Sequence, residues 1–84
     1  MRQTTALIYS KADCPYCVRA KTLLNAKGIM FTETVIGRDV LREDFMEMFP
    51  DQKSVPLIFI DGNRIGGYTE LVEHFNNGAQ LLTE

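Results

Sequence analysis

The first apolar run, Ala6-Leu7-Ile8-Tyr9, closes on Ser10-Lys11-Ala12-Asp13, a pattern that predicts a buried strand feeding a polar loop. The period then changes. Cys17, Ala20, Leu23 and Leu24 share one helical face, Arg19, Lys21 and Asn25 point elsewhere, and Gly28 stops the helix. Either Asp13 or Cys14 can act as its N-cap, and Pro15 suits the first turn, where its missing N–H has no intrahelical partner to lose. Met30-Phe31-Thr32-Glu33-Thr34-Val35-Ile36 alternates at its start and predicts a second strand. One helix between two strands makes a βαβ unit, so these strands should be parallel with a right-handed crossover.

Asp39 is placed to cap a second helix, in which Leu41, Phe45, Met48 and Phe49 recur at helical spacing until Pro50-Asp51. Met46 and Met48 read as core filler, and Tyr9 and Phe59 as core. Leu57-Ile58-Phe59-Ile60, then Asp61-Gly62, then Asn63-Arg64-Ile65, predicts an antiparallel hairpin, because Asp-Gly supplies the positive φ of a tight turn. A last helix is expected from about Thr69 through Leu71, Val72 and Phe75 to Asn76-Asn77-Gly78, with one more turn at Leu81-Leu82. The element order is β-α-β-α-β-β-α. It predicts an α/β fold with a four-stranded mixed sheet flanked by helices.

At 84 residues, with 45% hydrophobic content, residues 1–84 make one small domain with no linker or repeat. The net charge is −2 and no long Lys/Arg cluster occurs, so the electrostatic footprint of a nucleic-acid binder is missing. The first apolar run is too short for a signal peptide or a membrane span. We expect a soluble, cytoplasmic monomer without nucleic-acid or membrane partners, a setting where a lone Cys-x-x-Cys is more often catalytic than structural.

The two cysteines, Cys14 and Cys17, are the only ones in the chain and stand at the predicted opening of the first helix. A structural bridge between them would close a very short loop and constrain the unfolded chain little. Redox chemistry fits the position better. A free thiol has a pKa of about 8.5 and is only roughly 3% ionised at neutral pH, whereas the reacting species is the thiolate. Unpaired N–H groups at a helix N-terminus and the positive end of its dipole stabilise that thiolate. Cys14 precedes the first turn, where those groups converge, and Cys17 shares the apolar face of Ala20 and Leu24. A depressed pKa for Cys14 and a raised one for Cys17 are expected. Lys11, three residues before Cys14, can add positive charge nearby.

Three separated pieces, Cys14-Pro15-Tyr16-Cys17, Ser54-Val55-Pro56 and Gly66-Gly67-Tyr68-Thr69-Glu70, together resemble a dithiol glutaredoxin over essentially the whole chain. Val18-Arg19-Ala20-Lys21 and Phe59-Ile60-Asp61-Gly62 extend the likeness. The resemblance implies a thioredoxin-like fold, with Cys14 as the exposed nucleophile and Cys17 as the buried resolving thiol. It implies a cis Val55–Pro56 bond facing the cysteines, which would offer the backbone of Val55 to an extended thiol peptide. Glutathione is the implied co-substrate, with no metal. Its γ-glutamyl carboxylate would rest on N–H groups near Gly67, Tyr68 and Thr69. Glu70, in place of the family's frequent aspartate, would pair with the ammonium of the same residue. Ser54 replaces a common threonine and keeps its hydroxyl. Tyr16 would pack along the tripeptide, and Arg42 with Lys11 would reach the glycyl carboxylate. The implied clients are disulfide-containing or glutathionylated proteins, ribonucleotide reductase among them.

Two other readings compete. A small thioredoxin-like reductase served by a flavoenzyme would share the dithiol, but Gly66-Gly67-Tyr68-Thr69-Glu70 favours glutathione. An iron–sulfur cluster bridged between two chains, or a zinc site, is less well matched: zinc wants four ligands, and beyond the cysteine pair the chain offers only a distant His74, itself read as a boundary residue.

Overall fold

In the computed structural model, which describes residues 4–76, the first strand β1 (Thr5–Ser10) leads into helix α1 (Pro15–Ala26) and returns as β2 (Met30–Val35). A short helix α2 (Arg42–Met48) follows, then the strands β3 (Leu57–Ile60) and β4 (Asn63–Gly66) and the helix α3 (Tyr68–His74). The strands lie in the order β2-β1-β3-β4, with β1 and β2 parallel and the other pairs antiparallel. This is the expected α/β architecture. The tail beyond Asn76, where a further turn was expected at Leu81-Leu82, lies outside the described residues.

The alternation in β1 sorts its side chains between two layers. Ala6 and Ile8 are buried on one face with Ile58 and Ile60 of β3, beneath Ala20 and Leu24 of α1 and Leu71 and Phe75 of the α3 segment. Each large side chain among these removed from water stabilises the fold by roughly 1.5–3 kcal/mol. Helix α1 ends as expected. Gly28 takes φ 71°, and the amide of Ile29 turns back to the carbonyl of Leu24 at 3.0 Å.

The opposite face carries an aromatic cluster. Tyr9 lies 5.3 Å from Phe45, 5.4 Å from Phe49 and 6.3 Å from Phe59 between ring centroids. Tyr9 and Phe59 are therefore half-buried under one short helix and are not part of the closed core. The hairpin forms at Asp61-Gly62, whose φ values of 51° and 83° are the two positive angles of a tight two-residue turn. The amide of Asp61 also donates to the carbonyl of Thr5 at 2.9 Å, which ties the hairpin tip to the start of β1.

Helix α2 departs from the expectation in two ways. Asp39 does not cap it: its carboxylate accepts the amide of Val35 at 2.8 Å and is gripped by the Arg38 guanidinium, which fixes the loop after β2. The helix starts at Arg42, with Leu41 in the N-cap position and no side-chain cap. Met46 and Met48 are about half exposed, at 52% and 51%, and Leu41 is exposed as well. A helix of two turns laid on the sheet buries little more than one side chain, and here Phe45 takes that place.

Candidate active site

The chain leaves β1 at Ser10 and turns through Lys11-Ala12-Asp13 to reach α1. Asp13 adopts φ 57°, a left-handed conformation that aspartate tolerates better than most residues. That turn leaves Cys14 extended, with φ −120° and ψ 98°, in the N-cap position. Of the two possible caps, the sulfur of Cys14 is the one used, accepting the amide of Cys17 at 3.2 Å. Pro15 stands at the head of the helix as expected.

Cys14 and Cys17 form a disulfide, with Cα atoms 5.2 Å apart. Cys17 is 1% exposed, on the core face with Ala20 and Leu24. Cys14 is more open but, against expectation, it is also largely covered, at 9% exposure. The bridge turns its sulfur toward Cys17, and the carbonyl oxygen of Val55 lies 3.9 Å away on another side. The Val55–Pro56 bond is cis, as the resemblance implied, and Pro56 is buried.

The turn from β4 into α3 closes against the same loop. Gly66 has φ 121°, and a Cβ there would meet the side chain of Glu70 at 3.0 Å; one on Gly67 would approach the carbonyl of Pro56 at 3.5 Å. Glu70 reaches back over the helix start, where its Oε1 accepts the amide of Gly67 at 2.9 Å. That carboxylate oxygen is engaged within the fold, the arrangement of an acid that satisfies a first-turn donor. Tyr68 carries the turn toward Tyr16, their rings 5.9 Å apart, while Arg19 stacks over Tyr16 at 5.3 Å. Thr69 and Tyr16 are exposed.

A groove on another side of the cysteine loop is lined by Lys11, Arg42, Ser54 and Val55, and also by Lys53 and the rings of Phe45 and Phe49. Lys11 and Arg42 thus line one groove together. Lys53 was not singled out in the sequence, although its position beside Ser54-Val55-Pro56 was the available signal. Gln52 steadies that loop by donating to the carbonyl of Ser54 at 2.8 Å.

A second groove holds Cys14 and Cys17 together with Lys11, Lys21, Glu33 and Arg38. Lys21, expected away from the face of Cys17, instead lines this groove with it and is half-buried. Its ammonium lies 2.9 Å from Oε2 of Glu33, the oxygen that also accepts the hydroxyl of the buried Ser10 at 2.5 Å. The Ser10 hydroxyl and the Lys21 ammonium hold the Glu33 carboxyl below its ordinary pKa. The sequence signal for this trio was a carboxylate at the same strand parity as Phe31 and Val35. Among the described residues, no group of three or more His, Cys, Asp or Glu side chains converges as a metal site.

Known proteins share this arrangement. The glutaredoxin family model matches residues 6–65. Glutaredoxin 3 of Escherichia coli K12 is 44% identical over 64 residues, covering 76% of this chain and 77% of that protein. The crystal structure of glutaredoxin 1 from Francisella tularensis, complexed with cacodylate, superposes with a TM-score of 0.74 at 33% identity, over 96% of this chain and 99% of the other. The buckwheat glutaredoxin–glutathione complex superposes with a TM-score of 0.76 at 25% identity, over 94% and 74%. A Cys14–Cys17 pair at the head of α1, on this sheet and with these relatives, means that the chain belongs to the glutaredoxin family as a dithiol member and is a thiol–disulfide oxidoreductase.

Proposed function

We propose that the protein reduces protein disulfides and glutathione mixed disulfides at the expense of glutathione. The observation that carries this reading is the sulfur of Cys14 at the N-cap of a 12-residue helix, receiving an amide N–H at 3.2 Å and flanked by the basic groove of Lys11, Arg42 and Lys53. Glutathione brings a thiol and two carboxylates. Lys11 and Arg42 suit its glycyl carboxylate, and the start of α3 near Tyr68 and Thr69 suits the γ-glutamyl end, with Tyr16 between. Ser54 and the backbone of Val55 would lie alongside the cysteinyl residue. The unengaged oxygen of Glu70 would face the ammonium. A buckwheat relative crystallised with glutathione supports the choice of ligand.

In the reaction, the Cys14 thiolate attacks one sulfur of the client disulfide, and the client's other sulfur leaves as a thiolate and takes a proton from water. Cys17, deprotonated, then attacks Sγ of Cys14 and expels the remaining client thiolate. The protein is left with the Cys14–Cys17 bridge seen in the structure. Two glutathione molecules restore the dithiol and depart as one glutathione disulfide. For a glutathionylated thiol, Cys14 alone removes the glutathionyl group and a second glutathione regenerates it. A reducing compartment such as the cytoplasm fits this cycle.

Turnover of a glutathionylated substrate with glutathione as sole reductant tests the proposal. Cys14→Ser should be inactive, and Cys17→Ser should keep deglutathionylation while losing protein-disulfide reduction. Reduction by a thioredoxin reductase system with no response to glutathione would overturn it.

A further inference from the structure

Glu33 occupies a position where the strand pattern calls for an apolar residue. In β2 the residues facing α1 are Phe31, Glu33 and Val35, set beside Ala6, Ile8 and Ser10 of β1. Its carboxylate is held by Ser10 and by Lys21, and both Lys21 and Glu33 line the groove that contains Cys17. Lys21 follows Cys17 by four residues on α1, a spacing that stacks side chains on one helical face with Cβ atoms about 5–6 Å apart.

We propose that the Lys21–Glu33 pair, anchored by Ser10, is the positioning device of the resolving step and sets how readily Cys17 gives up its proton. The proposal rests on the reading of Cys17 as the resolving thiol. Burial makes a Cys17 thiolate costly, and the Lys21 ammonium one turn away offsets that cost. Glu33 holds the ammonium in place and partly neutralises it. In the step itself, the Cys17 proton passes to water through the groove and the thiolate forms a bond to Sγ of Cys14. The bond from Cys14 to the client sulfur breaks, and that sulfur leaves with the electron pair. The protein dithiol is oxidised by two electrons and the client disulfide is reduced by two. The other charged groups of the groove are Lys11 and Asp13 from the loop before α1 and Arg38 from the loop after β2, and on the α3 side the titratable Tyr68 packs against the core cluster that contains Ala20 and Leu24 of α1. None of these is altered by the substitutions below.

The competing role for Glu33 is purely structural, since β2 is an edge strand and an inward-pointing charge discourages edge-to-edge pairing. Only the positioning role predicts shifts of opposite sign in the two single variants. In reduced Cys14→Ser protein, the pH dependence of Cys17 alkylation should move up by about one unit in Lys21→Met, which leaves the Glu33 anion unopposed. It should move down in Glu33→Gln, which leaves the Lys21 cation unopposed. The double variant should return close to the parent, and Lys21→Arg should stay there. With both cysteines present, Lys21→Met should lower the ratio of protein-disulfide reduction to deglutathionylation about threefold at neutral pH, because a tenfold smaller thiolate fraction is partly offset by the greater nucleophilicity of a more basic sulfur. Lys21→Gln replaces Lys21→Met if the latter does not fold. Alkylation profiles that coincide with the parent, or that shift the same way in both single variants, would overturn the proposal. Failure of the resolving role itself reads out separately, as protein-disulfide reduction that survives Cys17→Ser.

Discussion

The amide of Cys17 donates to the sulfur of Cys14 across 3.2 Å, so under the proposed roles the resolving residue would also help stabilise the nucleophile. A sulfur that receives a helix-terminal N–H gains more as a thiolate than as a thiol. In Cys17→Ser protein, which keeps that amide, the alkylation rate of Cys14 should titrate well below the ordinary thiol range. An unshifted titration would show that the N-cap position does not activate Cys14.

Under the proposed function, the groove of Lys11, Arg42 and Lys53 should bind the glycyl carboxylate of glutathione by charge. Arg42→Ala and Lys53→Ala should each raise KM for a glutathionylated substrate several-fold with little change in kcat, the signature of lost binding common to ground and transition states. The difference from wild type should shrink as ionic strength rises toward 1 M, where the screening length falls to about 3 Å. Steady-state kinetics at two salt concentrations checks both statements.

Gly66 combines φ 121° with a Glu70 side-chain carbon 3.0 Å from where a Cβ would stand. Gly66→Ala should destabilise the fold by about 1–3 kcal/mol and loosen the Glu70 contact to the amide of Gly67. Gly67 has φ −94°, and a Cβ there meets nothing closer than 3.3 Å, so Gly67→Ala should cost less. Urea unfolding of both variants gives the comparison.

The depressed pKa of Glu33 makes part of the stability pH-dependent. Because the folded protein binds the Glu33 proton less readily than the unfolded chain does, the contribution is fully present above the unfolded carboxyl value of roughly 4.3 and is lost as pH falls through the lower folded value. Removing the charge with Glu33→Gln should lower stability near neutrality by about 1 kcal/mol, and the difference should shrink as the pH is lowered toward 3. Urea midpoints at the two pH values test the sign.

Much of this was legible along the chain because it depends on local chemistry. The hairpin at Asp61-Gly62 follows from residues that accept positive φ, and the end of α1 from Gly28. The cysteine pair, Val55-Pro56 and Gly66-Gly67 were each readable as short motifs. The mistaken expectations concern which of several local partners wins and how deeply a short element docks. Asp39 has the side chain of a cap, but Val35 and Arg38 hold it in the preceding loop. Met46 and Met48 keep helical spacing, but α2 is too short and too lightly docked to bury them.

By itself the sequence determined the order of elements and the placement of the cysteine pair, with Cys14 at the helix head and Cys17 on its apolar face, because periodicity, capping and turn preferences act over a few residues. Only the tertiary structure decided that Cys14 is nearly covered beside the carbonyl of Val55, and that Lys21 pairs with Glu33, whose carboxylate also accepts the Ser10 hydroxyl, in the groove that holds the cysteines. Those relationships join α1, two strands and a loop. The second arises because parallel pairing of β1 and β2 sets Ser10 and Glu33 on the sheet face that α1 covers, a register that no local run of residues specifies.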